Sequence, residues 1–277
     1  MKKENPFWSV GYVLIFMSIQ YITLVMTQIC FKVFARDWLV QNSVLVTIIG
    51  LALFSLFTIA LFTWARWSPV SRQWIMTRQW DVLVWSAVAA LGIVIPSLFV
   101  QEQLPEWPAS IQHYIEESER ETAQLMSTTG GYAVICLLAP VAEELVFRGA
   151  ALRTLLAWKP EHRWLMIALS ALLFALAHLN PAQLLHPFAI GLLLGWMYER
   201  TRSVIPGIIY HWANNTVAYL MFHAYPSPDI RLVDIFGDNI HEVMAVVFSL
   251  FILLPAIYQL NQRIDTNKGN SGNNSHN

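Results

Sequence analysis

The chain has 277 residues, of which 56% are hydrophobic and 13% are charged, and its formal net charge is −1. Soluble globular domains carry about 25% charged residues, so the composition excludes an ordinary soluble domain and indicates a protein surrounded by lipid. The absence of net positive charge argues against binding to nucleic acid. The two cysteines, Cys30 and Cys136, both lie in apolar runs, which predicts buried free thiols rather than a disulfide or a metal site.

The apolar runs predict an all-α, polytopic membrane protein. A helix needs about 20 mostly apolar residues to cross a bilayer, and about eight such runs occur in the chain. The first is too long for a signal-peptide core and no small-residue cleavage site follows it, so we expect an uncleaved first span. The predicted spans are residues 8–31, 43–65, 81–100, 130–153, 164–180, 184–200, 204–223 and 242–260.

The connections between these spans alternate in charge. Every second connection is rich in Lys and Arg, whereas the others are acidic or neutral, with Lys32 and Arg36 as the exception. Basic connections stay in the cytoplasm, so we expect a multi-pass protein of the cell membrane with both termini cytoplasmic. The outer connection at 101–129 has some helical pattern. It is interpreted either as an amphipathic interfacial helix or as a solvated acidic loop.

Two adjacent carboxylates, Glu143 and Glu144, lie inside an apolar run with no other charged residue back to Glu121. Ionisable groups inside a membrane are costly and usually mark a functional site. Consecutive residues of a helix point about 100° apart, so the two carboxylates have different neighbours. Glu144 and Arg148 have the i, i+4 spacing and the order that favour a helical ion pair, whereas Glu143 has no such partner in its own helix. We therefore expect the chemistry from Glu143 and support from Glu144 with Arg148.

Two later spans also contain polar side chains. His178 lies in the last turn of the fifth span, and His211 and Asn215 lie at i and i+4 on one face of the seventh. Asn214 is close to that face, and spacing alone does not decide whether it contributes. A rise of about 1.5 Å per residue places Glu143 and His211 at similar depth and His178 nearer the outer side.

A carboxylate, two imidazoles and an amide on three helices suit the activation of water. Glu143 and His178 would take a proton from the water, while His211 and Asn215 would donate hydrogen bonds to the developing oxyanion. Alternatively, Glu143, His178 and His211 would bind Zn²⁺ with water in the fourth position. Histidine and asparagine also link membrane helices through hydrogen bonds, so the residues by themselves leave these alternatives open.

Three segments of the chain carry a family resemblance. EELVFR, FALAH and HWANN fit the motifs Glu-Glu-x-x-x-Arg, Phe-x-x-x-His and His-x-x-x-Asn. In this order, on separate spans, they resemble the type II CAAX prenyl endopeptidases and bacteriocin-processing or immunity proteins, called CPBP or Abi proteins. The resemblance covers about residues 130–220.

The resemblance implies an all-helical intramembrane endopeptidase that works without a metal cofactor. Glu143 would activate water with His178, and His211 and Asn215, rather than Asn214, would form the oxyanion site. Glu144 and Arg148 would be supporting members. We divide the chain accordingly into three transmembrane helices and an outer loop (1–125), a catalytic core (126–225), and a last transmembrane helix with a disordered tail (226–277).

The preferred hypothesis is therefore an endopeptidase that hydrolyses a peptide bond in a membrane-associated or lipidated peptide or protein. One alternative is a non-catalytic immunity or regulatory protein that binds a peptide in the same polar cavity. Another is a transporter that uses Glu143 in a proton relay. The lack of inverted repeats argues against the transporter.

Overall fold

The computed structural model describes residues 5–70, 79–105, 107–226 and 230–273. Within these ranges the chain is helical and contains no strand, which confirms the predicted all-α class. We number the α-helices in chain order. They are α1 (Phe7–Phe34), α2 (Arg36–Gln41), α3 (Ser43–Trp64), α4 (Trp80–Glu102), α5 (Ala109–Ser127), α6 (Ala139–Glu144), α7 (Arg153–Trp158), α8 (Arg163–Ala177), α9 (Leu185–Thr201), α10 (Ile205–Ala224), α11 (Leu232–Phe236) and α12 (Asn239–Asn273).

The fourth predicted span is a continuous helix of mixed type, which we call the motif helix. It consists of a π-helical segment at Ala133–Leu138, then α6, a second π-helical segment at Leu145–Leu152, and α7. Pro140 follows the first π segment closely. Because proline has no N–H and its ring clashes with the carbonyl four residues earlier, a regular α-helix is disfavoured at this point.

Four helices in the described part of the chain are long and apolar enough to cross a membrane: α1, α3, α4 and residues Asn239–Ile264 of α12. Each of the other predicted spans also coincides with helix, but α8 and α9 have only 15 and 17 residues. The motif helix is divided by its π segments. The count of eight transmembrane helices therefore stays a prediction.

Of two peripheral segments, one agrees with the prediction and the other does not. The connection at 101–129 contains the helix α5, which confirms the helical interpretation and not the loop. At the other end of the chain, α12 continues to Asn273, into the stretch predicted as a disordered tail. No proline follows Pro255 to end this helix. Residues 274–277 of the predicted tail lie outside the described residues.

The motif helix lies at the centre of the bundle and contacts α1, α3, α8, α9 and α10. On one side, phenylalanines from α1, α3, the motif helix and α8 form a shared core. On the other, α4, α9, α10 and α12 enclose a second core. The backbones of α4 and α12 approach closely at Gly92, where a Cβ atom would lie 2.6 Å from the backbone nitrogen of Leu253. Small residues allow this kind of contact between membrane helices.

The cysteines correct one expectation. Both are free, and Cys136 is buried as predicted, but Cys30 is exposed. The buried residues of α1 include Tyr12, Phe16 and Thr27, and none of them lies beyond Thr27, whereas Cys30 lies near the end of the helix at Phe34. An apolar run in a membrane protein does not imply burial in protein, because lipid also solvates apolar side chains.

Candidate active site

The two glutamates lie between the two π segments of the motif helix. In each π segment a backbone carbonyl accepts a hydrogen bond from a side chain of a neighbouring helix. Asn215 of α10 donates through Nδ2 to the Ile135 carbonyl at 3.0 Å, and Ser170 of α8 donates through Oγ to the Phe147 carbonyl at 3.0 Å. Single π turns inside α-helices occur frequently at functional sites, and these hydrogen bonds hold the irregular turns in place.

Glu144 and Arg148 form the ion pair that their spacing predicts. Arg148 Nη1 donates to Glu144 Oε1 at 2.8 Å, and both side chains are buried, at 1% and 0% exposure. The guanidinium also lies over the Phe174 ring, with 4.3 Å between Cζ and the ring centroid. Because a buried charge is costly unless it is paired, this carboxylate and this guanidinium depend on each other.

Gly207 of α10 makes room for the Glu144 carboxylate. A Cβ atom at position 207 would lie 2.8 Å from Glu144 Oε2. We therefore expect Gly207→Ala to displace Glu144 and to cost about 1–3 kcal/mol of stability, as overpacking does, with loss of activity. The measurement is thermal unfolding in detergent, together with a cleavage assay.

Gly11→Ala is the matched control for this substitution. The nearest atom to a Cβ at position 11 is 3.4 Å away, in ordinary contact, so this change on α1 is expected to leave stability equal or slightly higher, because alanine favours helix over glycine. Equal stability of Gly207→Ala and the natural protein would contradict the steric role.

His211 of α10 lies beside both carboxylates. Its Nδ1 is 3.4 Å from Glu144 Oε1, and its Nε2 is 3.8 Å from Glu143 Oε2. Glu143 is 19% exposed, and its Oε2 has no hydrogen-bond partner among the described residues. The sequence predicts His211 as an oxyanion donor or, in the zinc alternative, as a ligand together with Glu143. Its contact with Glu144 is one that the pattern does not reveal.

His178 lies beside Phe174, whose ring also contacts His211. The Phe174 ring contacts the His178 ring edge-on at 4.9 Å between centroids and the His211 ring at 5.8 Å. His178 Nδ1 lies 2.9 Å from the Phe174 carbonyl. Because a carbonyl only accepts, Nδ1 carries the proton in this arrangement. Among the described residues, no hydrogen bond or ion pair joins His178 to Glu143.

The two asparagines of α10 have different surroundings. Asn215 uses one N–H for the Ile135 carbonyl, and its Oδ1 lies 3.4 Å from Asn214 Nδ2. Asn214 is only 6% exposed, and its Oδ1 has no hydrogen-bond partner among the described residues. Asn214 is thus close to the predicted site and carries a free acceptor.

A cavity of about 430 Å³ reaches the site from the side of His178, Asn214 and Asn215. His186, at the start of α9, also lines it and was not predicted. The available signal was a histidine followed by proline at the start of a predicted span, on the same predicted side as His178. Glu143 and His211 are not among the lining residues.

The three residues named for the zinc alternative are not gathered into a metal-binding group. In the described ranges, no three His, Cys, Asp or Glu side chains converge closely enough to hold a metal ion. Glu143 and His211 are neighbours, but His178 contacts Phe174 instead.

A comparison with known protein families found a match in the central part of the chain. Residues 126–217 match the family model described as Rce1-like, type II CAAX prenyl endopeptidase Rce1-like. These residues are similar to that family and make up about a third of the chain. The matched region contains the motif helix, α8, α9 and most of α10, and with them all six predicted site residues. A search of the curated proteins and a search of the solved structures each found no match.

The predicted family resemblance is thereby confirmed for the central part of the chain. The central region is thus similar to a protease family, and the described part of the chain has four helices long and apolar enough to cross a membrane.

Proposed function

We propose that the protein is an intramembrane endopeptidase that hydrolyses a peptide bond in a membrane-associated or lipidated peptide or protein. The observation that carries this proposal is the placement of His211 against both carboxylates, with one oxygen of Glu143 left free. A nucleophile or base whose neighbour is oriented by a third group is typical of hydrolytic sites. We propose further that the protein is a multi-pass protein of the cell membrane with both termini in the cytoplasm.

Glu143 is the proposed general base. Its free Oε2 lies 3.8 Å from His211 Nε2, which is too far for a direct hydrogen bond, and in this scheme it accepts a hydrogen bond from the attacking water. Glu143 takes a proton from this water as the oxygen attacks the carbonyl carbon of the substrate. The same proton then passes to the amine that leaves when the C–N bond breaks. General acid–base catalysis of this kind contributes about 10²–10⁴-fold.

The other site residues have supporting parts in this scheme. Glu144, held by Arg148, accepts from His211 Nδ1 and fixes the orientation of that ring. With the proton of His178 on Nδ1, its Nε2 is an acceptor that suits a hydrogen bond from the attacking water. Asn215 keeps a second N–H that is not used by Ile135, and this donor suits the oxyanion.

The second candidate is a non-catalytic immunity or regulatory protein that binds a peptide. The lining of the cavity favours it, because that lining includes His178, Asn214 and Asn215 but not Glu143. Such a protein would use the asparagine amides to bind a peptide backbone and would cleave nothing.

A comparison of peptide termini separates the two candidates. Membranes from cells that express the natural chain, or no added chain, are incubated with and without a strong chelator, and new peptide termini are identified by mass spectrometry. We expect the natural chain to generate a reproducible set of termini that the chelator does not remove.

Each other result has a defined meaning. Identical termini with and without the chain would support the binding protein over the endopeptidase. Termini that disappear with chelator and return with Zn²⁺ would overturn the metal-free mechanism while leaving the endopeptidase in place.

A further inference from the structure

The bundle has two chemically different ends. One end contains the last turns of α3, the motif helix and α9 and the first turns of α8 and α10. A hydrogen bond from Arg153 of the motif helix to the carbonyl of Trp67, just after α3, links two of these elements at 3.2 Å. We call it the cationic end because several Lys and Arg residues lie there: Arg66, Arg153, Lys159, Arg163, Arg200 and Arg202.

The opposite end contains the last turns of α4, α8 and α10, the first turn of α9, and the helices α5 and α11. Tyr114 of α5 donates to the Leu179 carbonyl at 2.9 Å, and Glu102 accepts from the Leu232 backbone at 2.8 Å, so these elements are held together. We call it the acidic end for its carboxylates, which include Glu102, Glu116, Glu117, Glu121, Asp234 and Asp238.

The site cavity belongs to the acidic end. Its lining includes Gln101 and Glu102 at the close of α4, His178 just after α8, His186 at the start of α9, and Tyr225 just after α10. The buried Asn214 also lines the cavity, and its Oδ1 has no partner among the described residues. A buried acceptor without a partner costs free energy, and the N–H of a bound peptide would satisfy it.

The distribution of Lys and Arg orients the bundle in the membrane. Segments rich in Lys and Arg remain in the cytoplasm, and this bias is read from short connections near the ends of spans. This bias predicts that the cationic end faces the cytoplasm. The acidic end also has four Lys or Arg residues, Lys32, Arg36, Arg120 and Arg231, but the six named at the cationic end outnumber them.

We propose that the cavity opens on the extracytoplasmic side and that the substrate is a peptide segment presented there. An exported peptide, or the extracytoplasmic end of a membrane protein, is presented on this side, whereas the cytoplasmic tail of a protein meets the cationic end. That the peptide is a substrate rests on the proposed endopeptidase activity, but the side on which the cavity opens is independent of catalysis.

Cysteine labelling tests the side of the opening. In a background of Cys30→Ser and Cys136→Ala, single cysteines are placed at Ala218, which lines the cavity, at Glu117 on α5, and at Glu161 at the cationic end. A charged maleimide that does not cross membranes is applied to right-side-out spheroplasts and, separately, to lysed cells of the same culture. We expect Ala218→Cys and Glu117→Cys to be labelled equally in both, and Glu161→Cys to be labelled only after lysis.

The outcomes are distinct from those for the proposed function. Labelling of Glu161→Cys in spheroplasts, with Glu117→Cys labelled only after lysis, would overturn the orientation. Ala218→Cys unlabelled even after lysis would overturn the open cavity, because Glu117→Cys shows that the folded protein is present. A correctly labelled protein that generates no new termini would contradict the endopeptidase and leave the orientation intact.

Discussion

Glu143→Ala is expected to lower kcat for peptide cleavage by about 10²–10⁴-fold, the usual contribution of a general base, with little change in KM. The reason is that Glu143 is partly exposed and has a free oxygen near His211, whereas Glu144 is fully buried and paired with Arg148. Glu143→Gln is expected to show the same loss because it keeps the shape but cannot take a proton. The measurement is the initial rate on a substrate identified by mapping peptide termini.

Glu199 offers a matched control for this substitution. Its side chain is 15% exposed against 19% for Glu143, and it lies 3.9 Å from Arg163 near the cationic end, away from the site. We expect Glu199→Gln to keep cleavage within about two-fold of the natural rate, since an ion pair of this kind contributes under about 1 kcal/mol. Full activity in Glu143→Gln would contradict the assignment of the base.

Arg148→Ala is expected to destabilise the protein by about 3–5 kcal/mol, because removing one member of a buried ion pair leaves the other charge unpaired. Arg148 is 1% exposed, pairs with Glu144 at 2.8 Å and covers the Phe174 ring. Arg148→Lys is expected to recover only part of this, since a lysine cannot reproduce the planar stacking of a guanidinium on the ring. The free energy of unfolding is measured by titration with denaturing detergent in mixed micelles.

A double substitution separates the pair itself from the loss of one charge. Glu144→Gln with Arg148→Met removes both charges, and we expect it to cost less than Arg148→Ala, since no buried charge is left without its partner. Arg163→Ala is the control for the loss of an arginine, because Arg163 is half exposed and its pair is expected to contribute under about 1 kcal/mol. Equal destabilisation by Arg148→Ala and Arg163→Ala would show that Glu144 does not depend on Arg148.

The helices were predictable from the chain because apolar runs of spanning length form helices in lipid, where every backbone N–H and C=O needs an internal partner. The eight predicted runs coincide with helices, including the fifth run, predicted at 164–180 and observed as α8, Arg163–Ala177. The Glu144–Arg148 pair was predictable for a similar reason. It depends only on spacing within one helix, and the π segment that follows Glu144 does not disrupt it.

Contacts between helices were not predictable in the same way. His211 is 67 residues from Glu144 along the chain, and only the packing of α10 against the motif helix brings the imidazole between the two carboxylates. The free acceptor of Asn214 and the position of His186 in the cavity depend equally on how α4, α9 and α10 pack together. Spacing within one helix carries no information about these distances.

The sequence by itself therefore determined that the protein is an all-α membrane protein and which side chains belong to its polar motif. It also distinguished Glu144, with its ion-pair partner, from Glu143. Those properties follow from composition and from the period of a single helix. Only the tertiary structure decided that His211 contacts both glutamates and that the cavity opens at the acidic end, because side chains from different helices meet through packing.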